Sequence, residues 1–347
     1  MSHINIRKIY HDANYQIFFK EQEVSNFLKH TACPICGVEN NRIDAIHLCK
    51  EHWKSKVTIS VCKKCSSVYY LNPPNKEYIE EFYKEKWRKL YQNKSNYQGT
   101  TVLHGASNSK ILNLLNDIGL SNKDAKIFDF GCGFGNFLNS LKAASFSDLY
   151  GLELSSSLAK SAEKVLPGRI FNKPYQEIEL PYKFDFIYSN HVIEHVYNPL
   201  ETIKWLASNL DSDGYLAIAV PNNRYEPVVT QTLFIPHLSS FSFKSFEVIA
   251  MELGMKLSFW KHARNDELCA LLTYSDKYET LLNNKSFFVS SSSNSLTSIQ
   301  QTNRLRSMWN AASKTKVSYF SCTRPIQSLK SIVQKERGYT QISQMQA

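Results

Sequence analysis

Three glycines alternate in the segment Ile127–Leu138, where Gly131, Gly133 and Gly135 follow an apolar, strand-like run. Residues without a Cβ atom allow the backbone to turn tightly and to approach a bound ligand closely. A dinucleotide loop reads G-x-G-x-x-G and seats a pyrophosphate, but here the third glycine comes one residue early. Asp129 precedes the loop, and its negative charge disfavours a phosphate and favours a cationic group. The segment therefore predicts a turn that binds a positively charged nucleoside ligand.

A carboxylate follows this loop at the distance that a ribose requires. Glu153 ends the apolar run Leu149–Glu153, and an acidic residue about 20 residues after such a loop can accept hydrogen bonds from both ribose hydroxyls. Cys132 lies between the glycines, and Asn190 ends a later strand-like run. The predicted cofactor-binding residues are Asp129, Gly131, Cys132, Gly133, Gly135, Glu153 and Asn190.

A polar cluster follows the strand-like run Phe184–Ser189, at the edge of the sheet where open α/β folds bind ligands. His191, Glu194 and His195 are spaced i, i+3 and i+4, so one helical turn would place them on the same face. In one interpretation, His195 or His191 is a general base that Glu194 orients, because the pKa of histidine lies near neutrality.

Two other interpretations of this cluster stay open. His191, Glu194 and His195 can join His237 in a second divalent-metal site, where the metal would lower the pKa of a hydroxyl nucleophile. Alternatively, the cluster satisfies backbone groups and shapes the ligand pocket. A metal-free catalytic role is favoured, because the first residue of the cluster is His191 and Mg²⁺ prefers oxygen ligands.

Two Cys-x-x-Cys pairs, Cys33–Cys36 and Cys62–Cys65, are separated by 25 residues. Each pair offers two thiolates from one tight turn, and together they make the tetrahedral sulfur set that suits Zn²⁺. Four protein ligands leave no open coordination position, so the zinc is expected to be structural. His47, Cys49 and His52 lie between the pairs, and their spacing favours surface positions.

The elements that position these groups alternate in type along residues 126–275. Strand-like runs are predicted at Lys126–Asp129, Leu149–Leu152, Phe184–Ser189, Tyr215–Val220, Lys256–Trp260 and Leu268–Tyr274. Helical patterns separate most of them, which indicates parallel βαβ units in a doubly wound α/β sheet. The last two runs are too close for a crossover helix, so they are expected to pair antiparallel at an edge.

The composition is that of a soluble globular protein, with 43% hydrophobic and 21% charged residues. No run of about 18 apolar residues occurs, so no membrane span is expected. The first 20 residues lack the apolar stretch of a secretory signal, and the cytoplasm is the expected location.

The net charge of +10 is concentrated near the C-terminus, since residues 276–347 contain ten Lys or Arg and three Asp or Glu. Such a segment can attract nucleic acid, anionic lipid or a nucleotide-linked substrate. Its basic residues do not cluster, which favours a solvated surface over a nucleic-acid site.

The segment Asp129–Gly135 resembles motif I of class I S-adenosylmethionine-dependent methyltransferases, and Glu153 matches their ribose-binding acidic position. The segments Phe184–Asn190, Leu210–Leu216 and Val220–Asn222 are similar to the later motifs of this superfamily, in order. The resemblance covers roughly residues 105–275 and implies a Rossmann-like seven-stranded sheet, S-adenosylmethionine as cofactor and methyl transfer as the reaction.

Two narrower resemblances concern the acceptor. The cysteine pairs and the following segment Asn72–Tyr83 are similar to the N-terminal module of bacterial methyltransferases that modify sugars and polysaccharide or secondary-metabolite precursors. The segment His191–His195 resembles the Glu-x-x-Glu-His metal motif of ubiquinone-pathway O-methyltransferases and small-RNA 2′-O-methyltransferases, which add a downstream histidine. It departs from that motif at His191. Some of the sugar-modifying enzymes are C-methyltransferases with a large C-terminal domain, and the short, basic residues 276–347 are not expected to form such a domain.

Five segments are therefore predicted: an N-terminal segment 1–30, a zinc ribbon 31–72, a helical connector 73–105, a methyltransferase domain 106–275 and a basic helical extension 276–347. The favoured function is methyl transfer to a small-molecule or glycan acceptor. The alternatives are an RNA methyltransferase and a non-catalytic adaptor that uses the zinc and cofactor folds to bind partners.

Overall fold

A computed structural model describes the chain at residues 30, 32–48, 57–73, 111–222, 237–260, 267–276, 300 and 303. The predicted N-terminal segment, the helical connector and the basic extension lie almost wholly outside the described residues, as do Cys49 and His52. None of the described helices is long and apolar enough to cross a membrane.

The described strands, in chain order, are β1 (Arg42–Leu48), β2 (Val57–Cys62), β3 (Val68–Tyr70), β4 (Ile127–Phe130), β5 (Leu149–Leu152), β6 (Ile170–Phe171), β7 (Phe184–Asn190), β8 (Leu210–Pro221), β9 (Ser239–Ser240), β10 (Lys256–Phe259) and β11 (Glu267–Thr273). The described helices are α1 (Asn136–Ala143), α2 (Ser156–Val165), α3 (Pro199–Ser208) and α4 (Phe243–Leu253), and residues 111–117 are also helical.

The larger sheet has seven strands in the order β10-β11-β8-β7-β4-β5-β6. β4 to β8 pair in parallel, whereas β11 pairs antiparallel with both β8 and β10. The predicted Rossmann-like, seven-stranded α/β sheet is thus confirmed. The antiparallel pairing of the last two runs is also confirmed, although only β10 forms the edge. β6 was not predicted, because two half-buried residues are too few to produce a period in the sequence.

The smaller sheet has the order β1-β2-β3-β9, with antiparallel pairing throughout. Its first three strands come from the predicted zinc ribbon, and the β-rich character expected there is present. Its fourth strand, Ser239–Ser240, comes from the chain after β8. The ribbon is therefore completed by a segment of the α/β part, which the predicted boundary of 31–72 does not include.

Two apolar clusters cover opposite faces of the larger sheet. One joins the helical residues 111–117 to α1 through buried side chains such as Leu114 and Leu138. The other joins α3 and α4 to β7 and β8, and it also contains all four paired cysteines. The ribbon and the α/β sheet therefore share one hydrophobic core.

Helix α4 shows how local sequence fixes these boundaries. Ser242 and Ser245 form a reciprocal capping box at its start, and Gly254 ends it in the left-handed conformation at φ 63°. Helix α3 begins with Pro199 in its first turn, a position where the missing amide hydrogen costs nothing. Both helices start beside the ribbon.

Candidate cofactor and acceptor site

The three glycines of the loop after β4 all have positive φ angles, and each meets a different environment. A Cβ atom added at Gly131 would lie 2.2 Å from Cγ2 of Val192, so that side chain packs directly on the glycine. A Cβ at Gly133 would have no atom within 4 Å, which leaves the space beside this backbone open to a ligand. A Cβ at Gly135 would lie 3.1 Å from the Cα atom of Ala162 in α2, so Gly135 allows two helices to pack closely.

The carboxylate of Glu153 is fixed by two backbone amides. Its Oε2 accepts a hydrogen bond from the Gly133 amide over 3.0 Å, and its Oε1 accepts one from the Ser155 amide over 2.7 Å. Burial raises the pKa of Glu153, and these hydrogen bonds oppose that rise. Each oxygen keeps a further lone pair. The carboxylate is therefore held in place with capacity to accept from a ligand.

Asp129 lies within β4 and is 4% exposed. Burial, and secondly the charge of Glu153, raise the pKa of Asp129 to about 8. A cation bound nearby would favour the ionised form. Asp129 does not itself line the cavity described below, and neither do Cys132 and Gly135. The Cys132 side chain is buried against Gly151, so only its backbone remains to approach a ligand.

A cavity of about 290 Å³ opens where β4, β5 and β7 end. Four of the predicted cofactor residues line it: Gly131, Gly133, Glu153 and Asn190. The Oδ1 atom of Asn190 is buried and has no hydrogen-bond partner among the described residues. His191, His195 and Tyr197 also line this cavity. The cofactor loop and the polar cluster thus face the same space.

His191 is held between two carboxylates. Its Nδ1 lies 3.1 Å from Oε1 of Glu194, and its Nε2 lies 2.9 Å from Oε1 of Glu267. Burial lowers the pKa of His191, but the hydrogen bonds and charges of both carboxylates outweigh burial and raise the pKa to about 10. A histidine that is already protonated cannot accept a further proton, so this arrangement does not suit His191 to act as a general base.

Glu194 connects His191 to His195. It is 1% exposed, and its Oε1 lies 3.7 Å from Nε2 of His195. Burial raises the pKa of Glu194, but the charges of the surrounding histidines outweigh burial and lower it to about 2. The ring of His237 approaches that of His195 with a centroid distance of 4.7 Å. The structure therefore brings all four predicted acceptor-side residues together, with residues 193–195 in a 3₁₀ turn.

Glu267 is the member of this cluster that the sequence did not predict. It begins β11, 76 residues after His191, and only the strand order of the sheet brings it to His191. A carboxylate at the start of an otherwise apolar strand was the available signal. Because both ring nitrogens of His191 are engaged, the predicted metal set reduces to Glu194, His195 and His237, whose ligand atoms lie within 4.8 Å of one another.

The four paired cysteines meet in one cluster. The Sγ atoms of Cys33 and Cys65 are 3.8 Å apart, and those of Cys36 and Cys62 are 3.6 Å apart. Ligands at a Zn–S distance of about 2.3 Å in a tetrahedron are separated by about 3.8 Å. All four residues are at most 4% exposed. The spacing and the chemistry of the donors fit a closed tetrahedral zinc site.

Comparisons with known proteins agree with this fold. A family model described as a methyltransferase domain matches residues 104–343. The trans-aconitate 2-methyltransferase of Rhizobium rhizogenes is 32% identical over 116 residues, which are 33% of this chain and 45% of the relative. An uncharacterized protein of Methanocaldococcus jannaschii is 30% identical over 133 residues, 36% of this chain and 54% of the relative. The chain thus spans about half the length of these curated relatives.

Solved structures with a similar fold have low sequence identity to this chain. The plantazolicin methyltransferase BpumL in complex with SAH is 16% identical, with a TM-score of 0.45, over 57% of this chain and 94% of that protein. The magnesium protoporphyrin IX methyltransferase of Synechocystis with bound SAH is 15% identical, with a TM-score of 0.46, over 57% and 98% respectively.

Proposed function

Because the chain belongs to the methyltransferase-domain family that its residues 104–343 match, we propose that it transfers the methyl group of S-adenosylmethionine to a small-molecule or glycan acceptor. The observation that carries this proposal is the open backbone at Gly133 beside the fixed carboxylate of Glu153, on the wall of a cavity that also contains His195. A carboxylate in that position suits a ribose and repels a phosphate.

The residues of the cofactor side bind and orient. Glu153 accepts hydrogen bonds from the ribose hydroxyls, and its two amide contacts keep it in position before the ligand arrives. Asp129 does not line the cavity, but in its ionised form it would supply negative charge for the amino group of the methionine moiety. The buried Oδ1 of Asn190 offers a further acceptor. When bound, S-adenosylmethionine supplies a methyl group that its sulfonium charge already activates.

The residues of the acceptor side hold and move a proton. His195 accepts a proton from the acceptor atom, and the buried carboxylate of Glu194 stabilises the resulting imidazolium. His191 stays protonated and fixes Glu194 by an ion pair. Walls formed by Tyr175, Val192 and Tyr197 exclude water and present apolar and hydroxyl-bearing surface to an acceptor.

The four cysteines, in this proposal, hold a structural Zn²⁺. Their thiolates would be unfavourable in a shared core without a cation, since burial raises the pKa of the Cys65 thiol. A bound Zn²⁺ would stabilise all four thiolates and link the two cysteine knuckles, which are the turns Cys33–Cys36 and Cys62–Cys65. Metal analysis of the purified chain is expected to give one zinc per chain, and Cys33→Ser is expected to release it.

A divalent metal at Glu194, His195 and His237 is the competing arrangement for the acceptor side. A zinc-like ion with bonds of about 2.1 Å needs its ligand atoms about 3.4 Å apart. The three ligand atoms already lie within 4.8 Å, so small side-chain movements would suffice. In the metal-free mechanism, methyl transfer continues in excess chelator under conditions that leave the buried zinc in place.

The proposed activity is tested in two steps. Calorimetry with S-adenosylhomocysteine measures the cofactor site alone, and a labelled-methyl screen over nucleotide sugars, quinols and RNA then identifies the acceptor class. With the identified acceptor, His195→Gln is expected to lower kcat about 100-fold and to leave the S-adenosylhomocysteine affinity within about threefold. Failure to bind S-adenosylhomocysteine would overturn the cofactor assignment, and labelling of RNA alone would overturn the acceptor class.

A further inference from the structure

The cysteine ribbon and the acceptor end of the cavity are joined by a strand pairing. β9 pairs antiparallel with β3, and the Tyr70 amide donates to the carbonyl of Leu238 over 3.2 Å. His237 directly precedes Leu238, and its ring lies 4.7 Å from the ring of His195. The ribbon therefore holds the segment that carries His237.

A chain of serine hydroxyls joins Cys65 to the start of α4. Ser242, the N-cap, donates from Oγ to the Cys65 carbonyl over 2.9 Å and accepts from the Ser245 amide over 3.2 Å. The Ser245 hydroxyl lies 2.6 Å from that of Ser67, which in turn lies 3.0 Å from Sγ of Cys65. All of these side chains are buried.

Metal binding at Cys65 would determine which hydroxyl donates and which accepts in this series of hydrogen bonds. A thiolate can only accept hydrogen bonds, so a metal-bound Cys65 requires Ser67 to donate to the sulfur and Ser245 to donate to Ser67. The Ser245 oxygen is then available to accept from the Ser242 amide, as observed over 2.8 Å. Such outer hydrogen bonds orient metal ligands and couple them to the surrounding structure.

The other knuckle holds the start of α3. The amide of Leu200, in the first helical turn, donates to the carbonyl of Pro34 over 3.1 Å. Amides at the start of a helix have no partner within the helix, so this external acceptor fixes the helix end. Tyr197, which lines the cavity just before α3, packs against His30 with a ring-centroid distance of 5.2 Å. Both helices beside the acceptor end thus start on cysteine knuckles.

We propose that the metal-bound ribbon supports the acceptor half of the active site from outside the cavity, with Ser67, Ser242 and Ser245 as positioning residues that set His237 against His195. This inference rests on the proposed methyl transfer and zinc site. The glycine loop has separate support, because the Gly131 amide donates to the Leu152 carbonyl over 2.8 Å. Loss of the ribbon's metal or of its serine link is therefore expected to disturb the acceptor half and to spare the cofactor half.

The serine link is tested in the full-length, zinc-loaded chain by amide hydrogen exchange. Ser242→Ala removes the cap and the bond to Cys65, and it is expected to accelerate exchange in residues 237–253 about fivefold to tenfold. Ser242→Thr keeps the hydroxyl and is expected to restore the protection. Ser258→Ala serves as the matched control, because Ser258 is also buried but its hydroxyl has no partner among the described residues. In all three variants, S-adenosylhomocysteine should bind within about twofold of the wild-type affinity.

The metal is tested by chelation of the wild-type chain, followed by NMR of selectively labelled histidines. The nuclear Overhauser contact between the His195 and His237 rings is expected to disappear with the zinc and to return when zinc is restored. Persistence of that contact after zinc loss overturns the proposal, and so does equal protection in Ser242→Ala and Ser258→Ala. Parallel loss of S-adenosylhomocysteine affinity also overturns it, because the effect would then not be confined to the acceptor half. A protein that binds no zinc also overturns this proposal, and calorimetry with S-adenosylhomocysteine then shows separately whether the proposed methyl transfer still stands.

Discussion

Replacing Glu153 with Gln tests the cofactor site most directly. The carboxylate accepts from two backbone amides at 2.7 and 3.0 Å and, in the proposed complex, from two ribose hydroxyls. Gln keeps the shape but replaces one acceptor oxygen with a donating NH₂ group, which faces either an amide or a hydroxyl. Hydrogen bonds to a charged group contribute about 1.5–3 kcal/mol each. Loss of one such bond and weakening of a second correspond to about 3 kcal/mol, so the affinity should fall about 100-fold.

Calorimetry with S-adenosylhomocysteine measures this loss, and thermal unfolding without ligand reports whether the variant is folded. Glu179→Gln is the control, because Glu179 is exposed and does not line the cavity. The mutation should also lower the pKa of Asp129, since the charge of Glu153 is the second cause of its elevation after burial. A folded Glu153→Gln chain that binds within about threefold of wild type would refute the ribose assignment.

Three further perturbations probe the loop, the buried aspartate and the clamped histidine. Gly131→Ala should destabilise the chain by about 2–3 kcal/mol, because its Cβ would lie 2.2 Å from Val192 at a positive φ. Gly119 also has a positive φ but has open space around it, so Gly119→Ala should lower the free energy of unfolding by only about 1 kcal/mol. Urea titration measures both variants, and an equal loss of stability in the two would contradict the packing argument. The affinity for S-adenosylhomocysteine should increase as pH rises from 6 to about 8 and then level off. The reason is that the pKa of Asp129 is about 8 and only its ionised form attracts the amino group. If Asp129→Asn gives the same pH profile, Asp129 is not the cause. His191 has a folded pKa of about 10 against about 6.5 unfolded, so its stabilisation is full below pH 6.5 and is lost as pH rises through 10. In His191→Gln, the free energy of unfolding should fall less steeply with pH over that range. Solvent reduces the size of this effect, because a third of the His191 side chain is exposed. Parallel curves of unfolding free energy against pH for the two proteins would refute the ion-pair assignment.

The placement of the residues in the proposed cofactor half was predictable because their signals are local. The glycines, Asp129 and Glu153 lie at the ends of neighbouring strands, and the strand-like runs around them alternate with helical patterns that restrict the topology to a few choices. The cysteine pairs were predictable for a similar reason, since each knuckle is a four-residue pattern. In these segments, residue type and spacing determine the local backbone, and each of the six predicted strand-like runs forms a strand of the larger sheet.

The acceptor half was less predictable because its contacts are long-range. Glu267 reaches His191 only after β11 has paired with β8. Ser239 and Ser240 are too short a strand to show a period, and they form β9 only because β3 offers an edge. The helical turn expected for His191, Glu194 and His195 is replaced by a 3₁₀ turn, since His191 itself has a φ of 53°. The local pattern of residues around a side chain does not indicate which distant strand will supply its partner.

The backbone strain at His191 is explained by its two carboxylate partners. A non-glycine residue at positive φ costs about 1–3 kcal/mol and persists only where the surroundings compensate. His191, whose pKa is raised to about 10, forms two hydrogen bonds with carboxyl groups, at 3.1 and 2.9 Å. Hydrogen bonds that involve a charged group contribute about 1.5–3 kcal/mol each. The strained turn sends the His191 ring toward Glu194 and Glu267, and it brings the following turn, with His195, to the cavity wall. Removing Glu267 would leave the strain opposed by one of these two bonds, so the loop that carries the proposed base His195 depends on a residue that contacts His191.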